Sequence, residues 1–238
     1  MKFKIFYLAL ALLALTVVQG CGNGSSYPES MSREKNNPTA IITAAIAVSD
    51  TYGAEASHNI LNAGGNAVDA AVAAGFTLAV TFIDAGNIGG GGFMTIKMGN
   101  EIAFLDYREK APLTAHKDMY LNKQGDVIDN ITLIGGQAAG VPGTVAGFWK
   151  AHKRYGKLPW KDVMQPAIDL AANGFIPAPI LVDSIHSMQQ RFDGKTNFND
   201  YFNHINSSKV FKQPELAKTL ARIAEFGADD FYRGKTAA

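Results

Sequence analysis

GNIGGGGFMTIKMGNEIAFLDYREKAP, residues 86–112, is the stretch around which the rest of the chain is organised. Four consecutive glycines, Gly89 to Gly92, lead into the alternating run Phe93–Met98, then Gly99-Asn100, then Glu101–Tyr107. A Gly-Asn pair between two short alternating runs signals a β-hairpin, because glycine at the first loop position supplies the positive φ of a type II′ turn. On the second strand, residues 102, 104, 106 and 108 share one face, so Ile102 and Phe104 are expected to anchor the face that presents Asp106 and Arg108. A fixed guanidinium beside bare glycine backbone suits a small anionic ligand.

Outward from the hairpin, the composition is that of a globular protein: 238 residues, 47% hydrophobic and 18% charged. The formal charge of +1 includes Lys2 and Lys4; without them 20 basic side chains face 21 acidic ones. That balance argues against nucleic acid as a partner.

Lys2 and Lys4 precede the apolar run Ile5–Val18, which is short for a permanent membrane span and reads as the core of a secretory signal. Val18-Gln19-Gly20-Cys21 resembles a bacterial lipobox, whose cysteine is lipidated and becomes the mature N-terminus. Cys21 is the single cysteine of the chain, so an internal disulfide is impossible and lipidation gives it a role. Residues 1–20 are therefore read as a lipoprotein signal peptide and 21–40 as a flexible tether, polar and turn-rich from Gly22 to about Pro38. Residues 41–238 are the domain. Gly22 is not the aspartate associated with inner-membrane retention, which points to the outer membrane, facing the periplasm.

Within the domain, Ile41–Val48 has the composition of a buried strand. Gly53–Ala63 is expected to be a helix with Ala54, His58 and Leu61 on its apolar stripe and a glycine C-cap at Gly64-Gly65. A second helix starts at Asn66, a capping residue, with Asp69 in its first turn; apolar all round from Ala70 to Val80, it should be the central helix. Beyond the hairpin, helices are predicted from about Thr144 to Arg154, from Leu158 to Ala172 with a kink or division at Pro166, from Pro179 to about Arg191, and from Glu215 to Phe226. Asp193–Ser208 reads as a structured loop. The order of elements indicates an α/β or α+β layered domain.

The residues taken singly leave the chemistry open. The glycine run lacks the Gly-Lys-Ser/Thr ending of a phosphate-binding loop and precedes a strand rather than a helix; it serves equally as close packing at a sheet edge. The five histidines show no metal-ligand spacing and read as surface or packing residues. Asp106 and Glu109 stand beside Arg108 and Lys110, where an ion-pair cluster is their expected role. No Gly-x-Ser-x-Gly context marks a nucleophile. Arg108 fits either a surface ion pair or a carboxylate-holding site.

Together, however, the motifs resemble the γ-glutamyltranspeptidase (glutathione hydrolase) family. The resemblance rests on Gly64-Gly-Asn-Ala-Val-Asp-Ala-Ala-Val-Ala-Ala74, Ile88–Met94, Asp106-Tyr-Arg-Glu-Lys-Ala-Pro112, Val141-Pro-Gly-Thr-Val-Ala-Gly147 and Tyr155-Gly-Lys-Leu-Pro-Trp160. Pro166–Ala171 with Gly174-Phe175, Gln213–Ala217 and Phe231-Tyr-Arg-Gly234 are similar as well. It implies an N-terminal nucleophile hydrolase fold, a four-layer αββα sandwich incomplete in this chain, made as a precursor that cleaves itself into large and small subunits. It further implies that a threonine at the start of the small subunit is the nucleophile, and that glutathione and other γ-glutamyl compounds are donors. Water, amino acids or peptides are then the acceptors, and no cofactor or metal is called for. Arg108 matches the large-subunit arginine that binds the α-carboxylate of the γ-glutamyl group. The chain stops at Ala238, inside what the family continues as the large subunit, and neither Thr114 nor Thr236 stands in the context of the nucleophile. No catalytic residue is thus expected within these 238 residues, and the chain alone is expected to be inactive. A cephalosporin or glutaryl acylase of the same fold, and a non-catalytic lipoprotein that binds amino acids or peptides, are the alternative readings.

Overall fold

The central helix forms where a capping box and an all-round apolar stretch coincide. In the computed structural model, which describes residues 44–238, α2 (Ala67–Thr81) follows α1 (Thr51–Asn62), and Ala45–Ala238 pack as one unit. The Asn66 side chain accepts from the Val68 and Asp69 amides, and Asp69 accepts in return from the Asn66 amide at 2.9 Å. Val72, Phe76 and Val80 of α2 are wholly buried. The ring of Phe76 meets Phe148 and Trp160 edge-to-face, with centroids 5.2 and 5.5 Å apart. The alanines of α2 let its neighbours come close: Ser57 of α1 donates to the Ala70 carbonyl at 3.1 Å.

Around α2 lie α1, α3 (Thr144–Tyr155) and α4 (Trp160–Asn173), with α7 (Pro214–Phe226) packed on α4 and α8 (Ala228–Arg233) on α7 and α3. Trp160 joins two of these elements by donating its indole N–H to the Ile223 carbonyl at 3.0 Å. The other elements are α5 (Pro179–Phe192), the short α6 (Phe198–Phe202), a 3-10 turn over Gly136–Ala138, and the hairpin of β1 (Phe93–Met98) and β2 (Glu101–Asp106). Aromatic packing orders the connection after α5, where Phe192, Phe198 and Phe202 lie side by side at 5.0 and 4.8 Å. That bears out a structured loop.

The hairpin has the expected two-residue loop, with Met98 opposite Glu101. Gly99 has φ +58°, while Asn100 is absent from the positive-φ residues, as a type II′ turn requires. Its faces are the reverse of the expectation. Ile96 is buried, flanked by half-buried Met94, Ala103 and Leu105, whereas Ile102 is 72% exposed and Phe104 63%. Phe93, 55% exposed, stacks on Phe104 at 5.8 Å. The strand presents apolar side chains on both faces, and the helices cover only one of them.

Three further expectations are corrected. Ala44–Val48 has no regular structure and is exposed; a strand must pair its amides and carbonyls, and the hairpin is the only sheet among the described residues. The buried stripe of α1 is Gly53, Ala56, Ser57 and Ile60, rotated from the predicted one because α2 presents alanines that small residues fit. Of the kink or division expected at Pro166, the division does not occur: α4 runs through it as one helix, held by the buried Val163, Met164, Ala167 and Ala171. Residues 1–20, the tether at 21–40 and Cys21 lie outside the described residues.

Candidate functional site

Past the end of β2 the backbone keeps pairing, and this places Arg108. Tyr107 and Gly92 exchange amide bonds of 3.0 and 3.4 Å, and Lys110 does the same with Val141 at 3.1 and 2.7 Å. The Gly90 carbonyl accepts from the amides of Gly143 and Thr144 at 2.8 and 3.0 Å, which fastens the glycine run to the start of α3. Absent side chains make this closeness possible. A Cβ on Gly91 would lie 2.6 Å from the Tyr107 carbonyl oxygen and 2.7 Å from the Glu109 nitrogen, and one on Gly143 would collide with the same carbonyl. The Tyr107 ring rests on Gly147 and meets Phe148 edge-on at 5.7 Å. Close packing and an open backbone platform are therefore the same feature.

Arg108 leaves this clamp toward solvent. Its amide donates to the Asp106 carboxylate at 3.0 Å, while its guanidinium forms no ion pair among the described residues. The expected cluster of Asp106, Arg108, Glu109 and Lys110 is thus not formed; alternation and the Asp106 turn send neighbouring side chains apart, and all four are exposed. A cavity of about 610 Å³ opens here, lined among others by Tyr107, Arg108, Lys110, Pro142, Lys150 and Tyr232. Three cations line it against the two carboxylates of Asp106 and Glu109. Burial raises the Tyr107 phenol above its usual range. Burial also raises that of Tyr232, offset in part by the Ala146 amide, so both remain protonated donors at neutral pH.

Tyr232 escaped the reading of single residues. Its hydroxyl donates to the Pro142 carbonyl at 2.9 Å and accepts from the Ala146 amide at 3.2 Å, contacts about ninety positions away in the chain. Only its place in the Phe231–Gly234 motif singled it out beforehand.

The remaining candidates are structural. His152 is a packing histidine, 5.1 Å from Trp160, with Nε2 2.9 Å from the Leu158 carbonyl and 3.5 Å from Asp69. The Thr236 hydroxyl accepts from Arg222 at 2.7 Å and donates to Asp230 at 3.0 Å. Among the described residues no group of three or more His, Cys, Asp or Glu could hold a metal ion. The cavity lining contains no serine, threonine or cysteine. What the arrangement can do is hold an anion: a guanidinium offers up to two parallel N–H donors to a carboxylate.

Residues 53–238 match the family model for gamma-glutamyltranspeptidase. A glutathione hydrolase proenzyme of Pseudomonas aeruginosa is 57% identical over 193 residues, 81% of this chain and 35% of that protein. The corresponding proenzyme of Escherichia coli is 43% identical over 208 residues, 81% of this chain and 34% of that protein. Among solved structures, the gamma-glutamyltranspeptidase of Pseudomonas nitroreducens complexed with L-DON superposes with a TM-score of 0.79 at 57% identity. That match covers 82% of this chain and 58% of the other. The chain spans about a third of the length of the curated relatives it matches.

Proposed function

The chain belongs to the gamma-glutamyltranspeptidase family, and we propose that it is the N-terminal part of the large subunit of a glutathione hydrolase, holding the γ-glutamyl donor by its α-carboxylate. Its fold class is that of the N-terminal nucleophile hydrolases, of which the described residues supply helices and one hairpin. The observation that carries the proposal is Arg108: an exposed guanidinium at a cavity, unpaired among the described residues, on backbone clamped by Gly90, Gly91 and Gly143. An arginine held so firmly and left without a carboxylate is preorganised to take one from a ligand.

In the reaction, a threonine hydroxyl from the small subunit attacks the γ-glutamyl carbonyl and passes its proton to its own α-amine. The amide C–N bond breaks as that proton goes to the leaving amine. Water or the amine of an amino acid or peptide then takes the glutamyl group from the ester and restores the hydroxyl. The part of Arg108 is to bind and orient the donor so that its γ-carbonyl meets the nucleophile.

The test is Arg108→Lys in the full precursor, which keeps the charge and removes the fork. Losing a charge-assisted pair of bonds is expected to raise KM for a γ-glutamyl anilide by about 10- to 100-fold, with a smaller change in kcat. An unchanged KM overturns the carboxylate role.

We further propose that the protein is lipidated on Cys21 and held in the cell envelope facing the periplasm, with 21–40 as its tether. The lipobox-like Val18–Cys21 and the single cysteine support this reading. Cys21→Ser is expected to abolish incorporation of labelled fatty acid and to release activity from the membrane fraction; retained labelling would refute the anchor.

A further inference from the structure

Helix α3 begins without a cap of its own. Gly143 stands at its N-cap and offers no side chain, so the first-turn amides must find acceptors elsewhere. Two distant groups supply them. The Gly90 carbonyl takes the amides of Gly143 and Thr144, and the Tyr232 hydroxyl takes that of Ala146 while donating to the Pro142 carbonyl. Tyr232 therefore bridges the residues on either side of Gly143, the point at which α3 touches the Tyr107 carbonyl.

The helix that carries this hydroxyl is itself pinned. Asp230, two residues earlier in α8, accepts from Arg222 of α7 at 3.3 Å and from Thr236 at 3.0 Å. Tyr232 sits half-buried at the wall of the cavity that Arg108 also lines. A continuous series of contacts thus runs from α7 through α8 to the first turn of α3, on to the glycine run, and ends at the peptide bond preceding Arg108.

We propose that Tyr232 is a positioning residue for Arg108: its hydroxyl caps α3 from a distance and so holds the wall against which the Tyr107–Arg108 backbone is set. It is not a catalytic residue and reaches the donor only through Arg108. The inference rests on the reading of Arg108 as the carboxylate-binding group, and the experiment separates the two.

Tyr232→Phe, Arg108→Lys and the double variant are made in the full-length precursor and assayed with two anilides. One carries the γ-glutamyl group; the other carries a 4-aminobutanoyl group, which lacks the α-carboxylate. Tyr232→Phe is expected to raise KM for the γ-glutamyl anilide about fivefold, the effect of one neutral hydrogen bond, with kcat nearly unchanged. KM for the 4-aminobutanoyl anilide should not move, and in the Arg108→Lys background Tyr232→Phe should add nothing further. If Arg108→Lys leaves KM unchanged, the carboxylate reading fails and this inference falls with it. If Arg108→Lys raises KM but Tyr232→Phe does not, acts equally on both anilides, or adds its full effect to Arg108→Lys, the positioning role alone is overturned. Amide hydrogen exchange on the uncleaved precursor reads the same contact without catalysis. The Ala146 amide should exchange faster in Tyr232→Phe, and unchanged protection overturns the cap.

Discussion

Asp69 has no exposed surface, yet every partner around its carboxylate is a donor. The Asn66 amide reaches it at 2.9 Å, the Lys157 amide at 3.0 and 3.1 Å, and the Leu158 amide at 3.4 Å. Both of its oxygens accept, so one side chain satisfies the start of α2 and the turn that follows α3. An asparagine would turn an NH₂ group toward amides that have nothing to accept with. Asp69→Asn is therefore expected to destabilise the folded precursor by about 2–4 kcal/mol, a loss typical of a broken buried charged network. Midpoints of denaturant unfolding measure it, and a loss below about 0.5 kcal/mol, the level of an ordinary surface substitution, would show that the turn finds other partners. Arg233 and Asp229 form the opposite case: both are more than 80% exposed, and their pairing at 3.2 Å contributes little.

At the scale of elements, what was legible in the sequence was what local chemistry decides. The Asn66 cap with Asp69 in the first turn, the Gly99-Asn100 turn, and the helix opened by Pro179 each depend on a few adjacent residues, and each stands where it was expected. The misreadings concern which way an element faces, and neighbours remote in sequence decide that. Ile102 and Phe104 alternate correctly along β2, but β2 alone does not say which face the helices will cover. The stripe of α1 likewise follows the alanines of α2 rather than its own largest side chains. Pro166 looked like a break because a proline costs a helix about 3 kcal/mol in isolation, a cost that burial of Val163, Met164, Ala167 and Ala171 offsets. For the site, the position of Arg108 at the exit of the hairpin was legible, since the turn and the glycines that set it act locally. The contact of Tyr232 with Pro142 and Ala146 was not, because no pattern along the chain announces a cap delivered by another helix.

Across the whole molecule, the outer face of the hairpin is apolar and is left uncovered by the described residues. Phe93, Ile102 and Phe104 form an apolar stripe opposite the face that Ile96 buries, and a two-stranded sheet exposed on one side is marginal in water. In a four-layer sandwich a second sheet lies face to face with the first, about 10 Å away, and would cover this stripe. Burying it would recover about 1.5–3 kcal/mol for each large side chain. The purified 238-residue chain, with its face uncovered, is accordingly expected to self-associate as its concentration rises and to release no product from a γ-glutamyl anilide. Threonine keeps the strand propensity and removes most of the apolar surface. The triple substitution Phe93→Thr, Ile102→Thr and Phe104→Thr should therefore reduce self-association of the isolated chain in sedimentation velocity. On the proposed reading of the chain as part of a longer precursor, the same three changes should impair assembly and self-cleavage there, because a second sheet packed on this face would use the stripe as its contact. A triple variant that associates as strongly as the parent would place the sticky surface elsewhere. A full precursor that carries the three threonines and still matures normally would mean that no second sheet packs on this face.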